Sequence, residues 1–169
     1  MQALTYGPAG ATSPADHVWT ARHPGFRRFE TSVVIGHGEH VWATAREAVL
    51  HWGVKRRSGF RVAPDAPATT DADYRVTAGW GPVSIHEPVR VVAVVDTADR
   101  CGFAYGTLTG HPVSGEEAFV VHRRADGTVE LTLRSLTKPA PTGLWRAVFP
   151  ILLVAQRFYR RRYLRALRS

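Results

Sequence analysis

Cysteine is nearly absent: Cys101 is the only one in 169 residues. A lone thiol cannot close an intramolecular disulfide. Metal-ligand spacing is missing too. His37 and His40 are three apart, His51 lies further along, and His86 with Glu87 and His111 with Glu116 are scattered, without an H-E-x-x-H. No metal and no cofactor is expected. Long apolar runs are also lacking. The longest, "AVFPILLVA" (Ala147 to Ala155), is far shorter than the roughly 20 residues that span a bilayer. The opening "MQALTYGPAG" has no basic segment followed by an apolar one, so it does not read as a secretory signal. These absences predict a cytoplasmic protein. Phosphate loops are missing as well. "GPAGAT" lacks the Lys-Ser/Thr of a P-loop and "GHGEH" lacks a third glycine. No G-x-S-x-G supports a hydrolase elbow, and no internal repeat is visible.

Acidic residues are scarce relative to basic ones: 14 against 22, for a formal charge of +8. Such a balance suits nucleic acid, an anionic membrane surface or an acidic partner. The excess is concentrated in Arg157, Arg160, Arg161, Arg162, Arg165 and Arg168, with smaller clusters at Arg27-Arg28 and Lys55 to Arg57. Three readings are open for the terminal arginines. They form a solvated helix face, or an interfacial helix with Trp145, Phe149 and Leu153 toward lipid, or phosphate contacts to nucleic acid. Arg157, Arg160, Arg161 and Arg162 are the candidates for an anionic partner. The length suits one domain, and 44% hydrophobic residues suffice for a core.

Periodicity sets the order of elements. Residues 1–28, rich in Gly, Ala, Pro and Thr, read as an irregular arm packed through Tyr6, Trp19 and Phe26, and 29–169 as a single domain. "ETSVVIG" reads as a strand. "GEHVWATAREAVLHWG" then places Val41, Ala45, Ala48, Val49 and Trp52 on one helical stripe, with Gly53 suited to follow the helix at C′. After the polar loop "DAPATTDAD" come "YRVTAGW", "VSIHE", "PVRVVAVVD", "CGFAYGTL", "EAFVVHR" and "TVELTLRS". The breaks at Asp99-Arg100 and Ala125-Asp126-Gly127 suit hairpins. "KPAPTG" ends the sheet. A long helix follows, with Val148, Leu152, Ala155, Tyr159, Tyr163 and Leu167 on one face and Pro150 imposing a kink or a nearby start. The expected fold is α+β: a curved antiparallel sheet of six to seven strands wrapped around a long C-terminal helix. Ligands usually lie in the cavity such an arrangement leaves.

"LTY" (Leu4 to Tyr6), "GAT" (Gly10 to Thr12), "FAYGTLTGHPVSGEEAFVV" (Phe103 to Val121) and the ending "RRYLRAL" resemble the domain of unknown function family numbered 1990, over nearly the whole chain. That resemblance implies small, mostly bacterial proteins without an established common activity. The element order is also similar to the START-like, helix-grip (SRPBCC-type) superfamily, which holds apolar ligands between sheet and C-terminal helix and includes cyclases as well as simple binders. One clear helix after the first strand, where that fold usually has two, departs from the pattern.

The Phe103–Phe119 block carries the candidate chemistry. Phe103, Tyr105 and Thr107 share one strand face. Facing the helix, they would bring two hydroxyls to a ligand or a developing oxyanion, with Trp80 as a further ligand contact; the structural alternative is a core aromatic with a backbone partner. His111 beside Glu116 or Glu117 could serve as an acid–base pair with Tyr105, or could simply tie the hairpin. The adjacent glutamates must face opposite ways, so at most one reaches a cavity. A small hydrophobic or lipid-like ligand is the expected partner. Acid–base catalysis on such a molecule, and a nucleic-acid or membrane-surface role for the basic helix, are the alternatives.

Overall fold

Alternating apolar residues from Tyr74 to Leu136 build one sheet, and the helical stripes cover its hollow side. The computed structural model describes residues 1–168. Its elements are β1 (Arg27–His37), α1 (Glu39–Leu50), α2 (Gly53–Arg57), β2 (Arg61–Ala63), β3 (Asp73–Ala78), β4 (Ile85–Asp96), β5 (Arg100–Thr107), β6 (Val113–Arg123), β7 (Thr128–Pro139), α3 (Leu144–Ala147) and α4 (Phe149–Tyr163). The sheet is antiparallel, in the order β1-β7-β6-β5-β4-β3-β2. Strands β2 to β7 run as a meander, and α1 and α2 carry the chain from β1 at one edge to β2 at the other. The expected hairpins lie between β4 and β5 and between β6 and β7.

Strand pairing sorts the side chains. Tyr105, Glu117, Ser135 and Phe29 are aligned across β5, β6, β7 and β1, and Phe103, Phe119, Leu133 and Thr31 form the next row on the same concave face. Intervening residues, including Gly106, Glu116, Arg134 and Leu136, project from the convex face.

Trp42, Ala45 and Val49 are the buried side chains of α1. Trp42, not Val41, is the deep anchor of that stripe. Trp52 is 1% exposed, with ring centroids 4.6 Å from Phe103 and 4.8 Å from Tyr74. It takes a left-handed backbone, φ 62°. That conformation costs a bulky residue about 1–3 kcal/mol. Burying roughly 150–250 Å² of aromatic surface returns about 4–6 kcal/mol gross, so packing wins. Gly53 therefore does not terminate the helix at C′. It opens α2, where a Cβ would lie 2.5 Å from the Ala48 carbonyl oxygen. This second short helix is the one the sequence reading missed.

The remaining details are local. The end of "VSIHE", from Ile85, and "PVRVVAVVD" form one strand, β4, with Pro88 inside it and a bulge between Val91 and Ala93. The first strand begins at Arg27, inside the segment read as arm. Pro150 occupies the first turn of α4, where its missing N–H costs nothing, and separates α4 from α3. Helix α4 ends at Tyr163, so Leu167 is buried from a turn beyond it. No helix among the described residues is long and apolar enough to cross a membrane.

The N-terminal segment covers the convex face. The Glu116 carboxylate accepts hydrogen bonds from the Tyr6 hydroxyl, the backbone N–H groups of Gly10 (2.8 Å), Ala11 (3.2 Å) and Thr12 (2.8 Å), and the Thr12 hydroxyl. Burial, then Glu116, pushes the Tyr6 phenol well above its usual range, so the phenol stays a donor. Arg134, with 1% of its side chain exposed, pairs with Glu30 at 2.6 Å and donates to the carbonyls of Ser13 and Asp16. Arg100 donates to the Pro14 carbonyl at 2.7 Å. Trp19 packs with Ala11 and Leu136. Glycine is required beneath the arm, because a Cβ on Gly106 would lie 2.3 Å from the Tyr6 hydroxyl oxygen. At Gly115, φ is +147° and a Cβ would meet the Leu136 carbonyl.

Removing an acceptor for several buried donors costs about 1–3 kcal/mol for each group left unpaired. Glu116→Ala is therefore expected to lower stability by about 3–5 kcal/mol and the melting temperature by roughly 6–15 °C. Limited proteolysis should find the arm cleaved in the variant at a concentration of folded protein where wild type resists. Unchanged melting would show that the carboxylate does not hold the arm.

Candidate functional site

A cavity of about 280 Å³ lies between the concave face and α4. Phe60, Ala78, Ile85, Leu152 and Tyr159 give it an apolar wall. It exists because α1 and α2 fill only one end of the concave face, while α4 crosses the other end. The α4 stripe expected from sequence supplies the roof through Leu152, Ala155, Tyr159 and Tyr163.

A charged cluster is set into this apolar surround. The Lys55 ammonium, from α2, lies 3.3 Å from the Glu117 carboxylate and 4.0 Å from that of Glu87. It donates a hydrogen bond to the Tyr163 hydroxyl oxygen at 2.7 Å. The rings of Phe60, Tyr163 and Tyr105 surround it at 4.5, 4.8 and 5.4 Å from their centroids. Tyr105 donates its own O–H to Glu117. Burial disfavours the ammonium, but Glu117 and the other negative groups outweigh it, and the Lys55 pKa is raised well above the usual range. Burial, then Glu117, raises both Tyr105 and Tyr163, and for Tyr163 the Lys55 ammonium opposes the rise. The cluster thus holds a caged cation, one carboxylate shared with a phenol, and two phenols that keep their protons.

Glu87 differs from Glu117. It accepts no hydrogen bond from the described residues; its nearest cation is Lys55, and His111 Nε2 is also 4.0 Å away. Burial, followed by the repulsion of Glu117, raises its pKa, against the pull of Lys55. The Tyr163 oxygen accepts from Lys55, and its O–H has no acceptor among the described residues. A carboxylate without a hydrogen bond from the described residues and an unspent phenolic donor therefore line one cavity. Gln156 adds an acceptor, Oε1, that is buried without a partner.

The expected site residues divide. Tyr105, His111 and Glu117 reach the cavity wall. Thr107 does too, but its hydroxyl is committed to Thr5 and to the Gly115 N–H. Phe103 packs against Trp52 in the core rather than lining the cavity. Trp80 is 77% exposed and stacks on Arg61, because the turn at Gly79 to Gly81 carries it off the sheet. Glu116 is taken up on the convex side by the arm. Arg160 turns inward, donating to Ser135 Oγ at 2.9 Å and lying over Phe29, whereas Arg157, Arg161 and Arg162 face out.

Lys55, Glu87 and Tyr163 were not singled out from the sequence as site residues. Glu87 left a signal there. It is in phase with Ile85, Val89 and Val91, so a carboxylate interrupts an otherwise apolar strand face. Lys55 left none, since its neighbours Arg56 and Arg57 made it look like part of a solvated run.

His111 Nδ1 bonds the Val113 backbone, and burial, followed by Lys55, pushes the imidazole pKa down to about 3. The unfolded chain takes up a proton near pH 6.5 that the folded site refuses. Stability is therefore full above that value and falls as the pH drops from about 6.5 toward 3. His111→Gln should flatten this part of the pH–stability curve, a difference of about 3 kcal/mol at pH 4 between the two acid-induced losses. Parallel curves in chemical denaturation would exclude a buried neutral imidazole.

The comparisons bear on this geometry. Residues 5–166 match the family model described as domain of unknown function (DUF1990). A UPF0548 protein of Deinococcus radiodurans is 32% identical over 149 residues, 80% of this chain and 73% of that protein. A UPF0548 protein of Arabidopsis thaliana is 25% identical over 122 residues, 69% of this chain and 60% of that one. Among solved structures, the hypothetical protein jhp0584 from Helicobacter pylori superposes with a TM-score of 0.59 at 9% identity, over 99% of this chain and 95% of its own. Ara h 8.0201, which has a Bet v 1-like fold, superposes at 0.51 with 12% identity, over 85% and 98%. These two likenesses concern the fold alone. The chain has the helix-grip architecture, with its sheet, cavity and covering helix, and it belongs to the DUF1990 family.

Proposed function

We propose that the protein binds a small, largely apolar molecule carrying a hydroxyl group in the cavity beneath α4. The observation that carries this reading is the pairing of an apolar wall with two acceptors that receive no hydrogen bond from the described residues, the Glu87 carboxylate, with Lys55 no nearer than 4.0 Å, and the buried Gln156 Oε1. Unmet acceptors in a low-dielectric pocket are costly, and a ligand hydroxyl satisfies them. The neighbouring Lys55 ammonium disfavours an amine in the same place. The volume lies just below the roughly 300–1,000 Å³ common for ligand sites, which favours a compact ring system over a long acyl chain.

Fluorescence titration with 2-naphthol and naphthalene tests this reading, backed by native mass spectrometry for a co-purified molecule. The alcohol is expected to bind at least tenfold tighter. Leu152→Trp, which fills the cavity from its roof, should abolish binding of both. Equal affinity for the two probes, or binding unaffected by Leu152→Trp, would overturn it.

The arrangement of Glu87 and Tyr163 favours a second reading, acid–base catalysis on the bound molecule. For a bound molecule that also carries a carbonyl, a carboxylate with a raised pKa and no hydrogen bond is suited to take a proton from the carbon next to that carbonyl, and the Tyr163 O–H is suited to stabilise the enolate oxygen that receives the electron pair. This moves the catalytic pair away from the expected set of Tyr105, His111 and Glu116 or Glu117. A co-purified molecule incubated with the protein in heavy water should gain deuterium on carbon. Glu87→Gln should slow that exchange by about 10²–10⁴-fold while leaving affinity within a few-fold. No exchange with wild type, or equal exchange by the variant, would end this reading.

A further inference from the structure

Helix α4 has a second apolar face that the cavity does not use. Ile151, Val154 and Phe158 are 69%, 65% and 58% exposed. Spaced three and four apart, they form one stripe on the side away from Leu152, Tyr159 and Tyr163. Leu144 on α3, 77% exposed, lies upstream of it. Along the same side, the last turn of α4 and the residues after it present Arg161, Arg162 and Arg165, with Arg157 alongside, all exposed. This stripe is not the one expected from the sequence: Phe149 is buried, and Trp145 and Leu153 are half-buried.

From these features we infer that the outer face of α3 and α4 docks on an anionic lipid surface, independently of what the cavity holds. The helix would lie obliquely, with Ile151, Val154 and Phe158 among the acyl chains and the arginines at the phosphates. Charge decides between possible occupants. No Asp or Glu follows Glu130 in the chain, and Arg157, Arg161, Arg162 and Arg165 make no ion pair with the described residues, so the face is cationic. A second copy packed on this face would bring two such arginine groups together without carboxylates to pair them. Nucleic acid would meet the arginines but offers no apolar phase to three exposed aliphatic and aromatic side chains. An anionic bilayer satisfies both halves of the helix.

The test is co-sedimentation of the full chain with phosphatidylcholine vesicles and with mixed phosphatidylcholine–phosphatidylglycerol vesicles. Wild type should sediment with the mixed vesicles and at least tenfold less with the neutral ones. Salt should weaken the association, because each arginine near the surface contributes about fivefold. The triple variant Ile151→Ser, Val154→Ser, Phe158→Ser should lose binding while melting as wild type does, because these side chains support no core. Arg157→Glu with Arg161→Glu should lose binding independently. Phe158→Trp should shift its emission to the blue on the mixed vesicles alone. Failure of wild type to sediment with anionic vesicles overturns the inference. So does a triple variant that binds as wild type does. Retention on DNA without vesicle binding assigns the arginines to nucleic acid. Concentration-dependent dimerisation that the triple variant removes, without vesicle binding, assigns the stripe to self-association. Either result also overturns it.

Discussion

The pleat of β6 turns neighbouring glutamates to opposite sides of the sheet, and much of the structure depends on that single constraint. Glu116 goes to the convex side, where five donors from the arm converge on it. Glu117 goes to the concave side, where it accepts from Tyr105 and faces the Lys55 ammonium. A one-residue slip of β6 would exchange the two and leave both sets of partners unmet. Each glutamate therefore reinforces the register that the apolar pattern of Phe119 and Val121 demands.

The concave cluster is expensive. A buried charge pair rarely stabilises a fold by itself, because desolvation offsets the attraction between its members. Here the ammonium is shared among Glu117, Glu87 and a phenol oxygen and is enclosed by aromatic faces, which lowers that cost without removing it. Well-packed hydrophobic residues would serve a purely structural role as well or better. Such a cluster beside an apolar cavity concentrates the least conventional chemistry of the protein where a ligand has access to it.

The architecture was legible from the sequence because alternation in β4 to β7 is regular and each turn carries a turn residue. The second helix was not legible. It depends on Trp52 adopting a left-handed backbone, which tertiary packing against Phe103 and Tyr74 enforces and no local propensity predicts. The candidate site was partly legible. Tyr105 and Glu117 follow from the period of two, and the opposition of Glu116 follows from the same rule. Lys55 could not be found this way, since its partners come from strands and a helix far along the chain. Trp80 was misjudged because a turn, not a strand, sets its direction. The apolar residues that α4 exposes, Ile151, Val154 and Phe158, are not the Trp145, Phe149 and Leu153 picked out in the sequence, because which apolar residues the sheet covers is settled by tertiary packing.

The convex-side cover also has a consequence for the order of assembly. The arm is synthesised before every group that holds it: Leu4 bridges to Leu108, Tyr6 bonds to Glu116, and Ser13 bonds to Arg134. The same is true of β1, whose neighbour in the sheet is β7. The leading part of the chain thus waits on the ribosome until the central hairpins have emerged. Contacts separated by about a hundred residues carry a large loop-closure entropy and form late. During that interval the convex face, including Leu136 and the unpaired Glu116 and Arg134, is open to water. Docking of the arm then seals the convex face, and until it happens that side of the sheet is open to other chains.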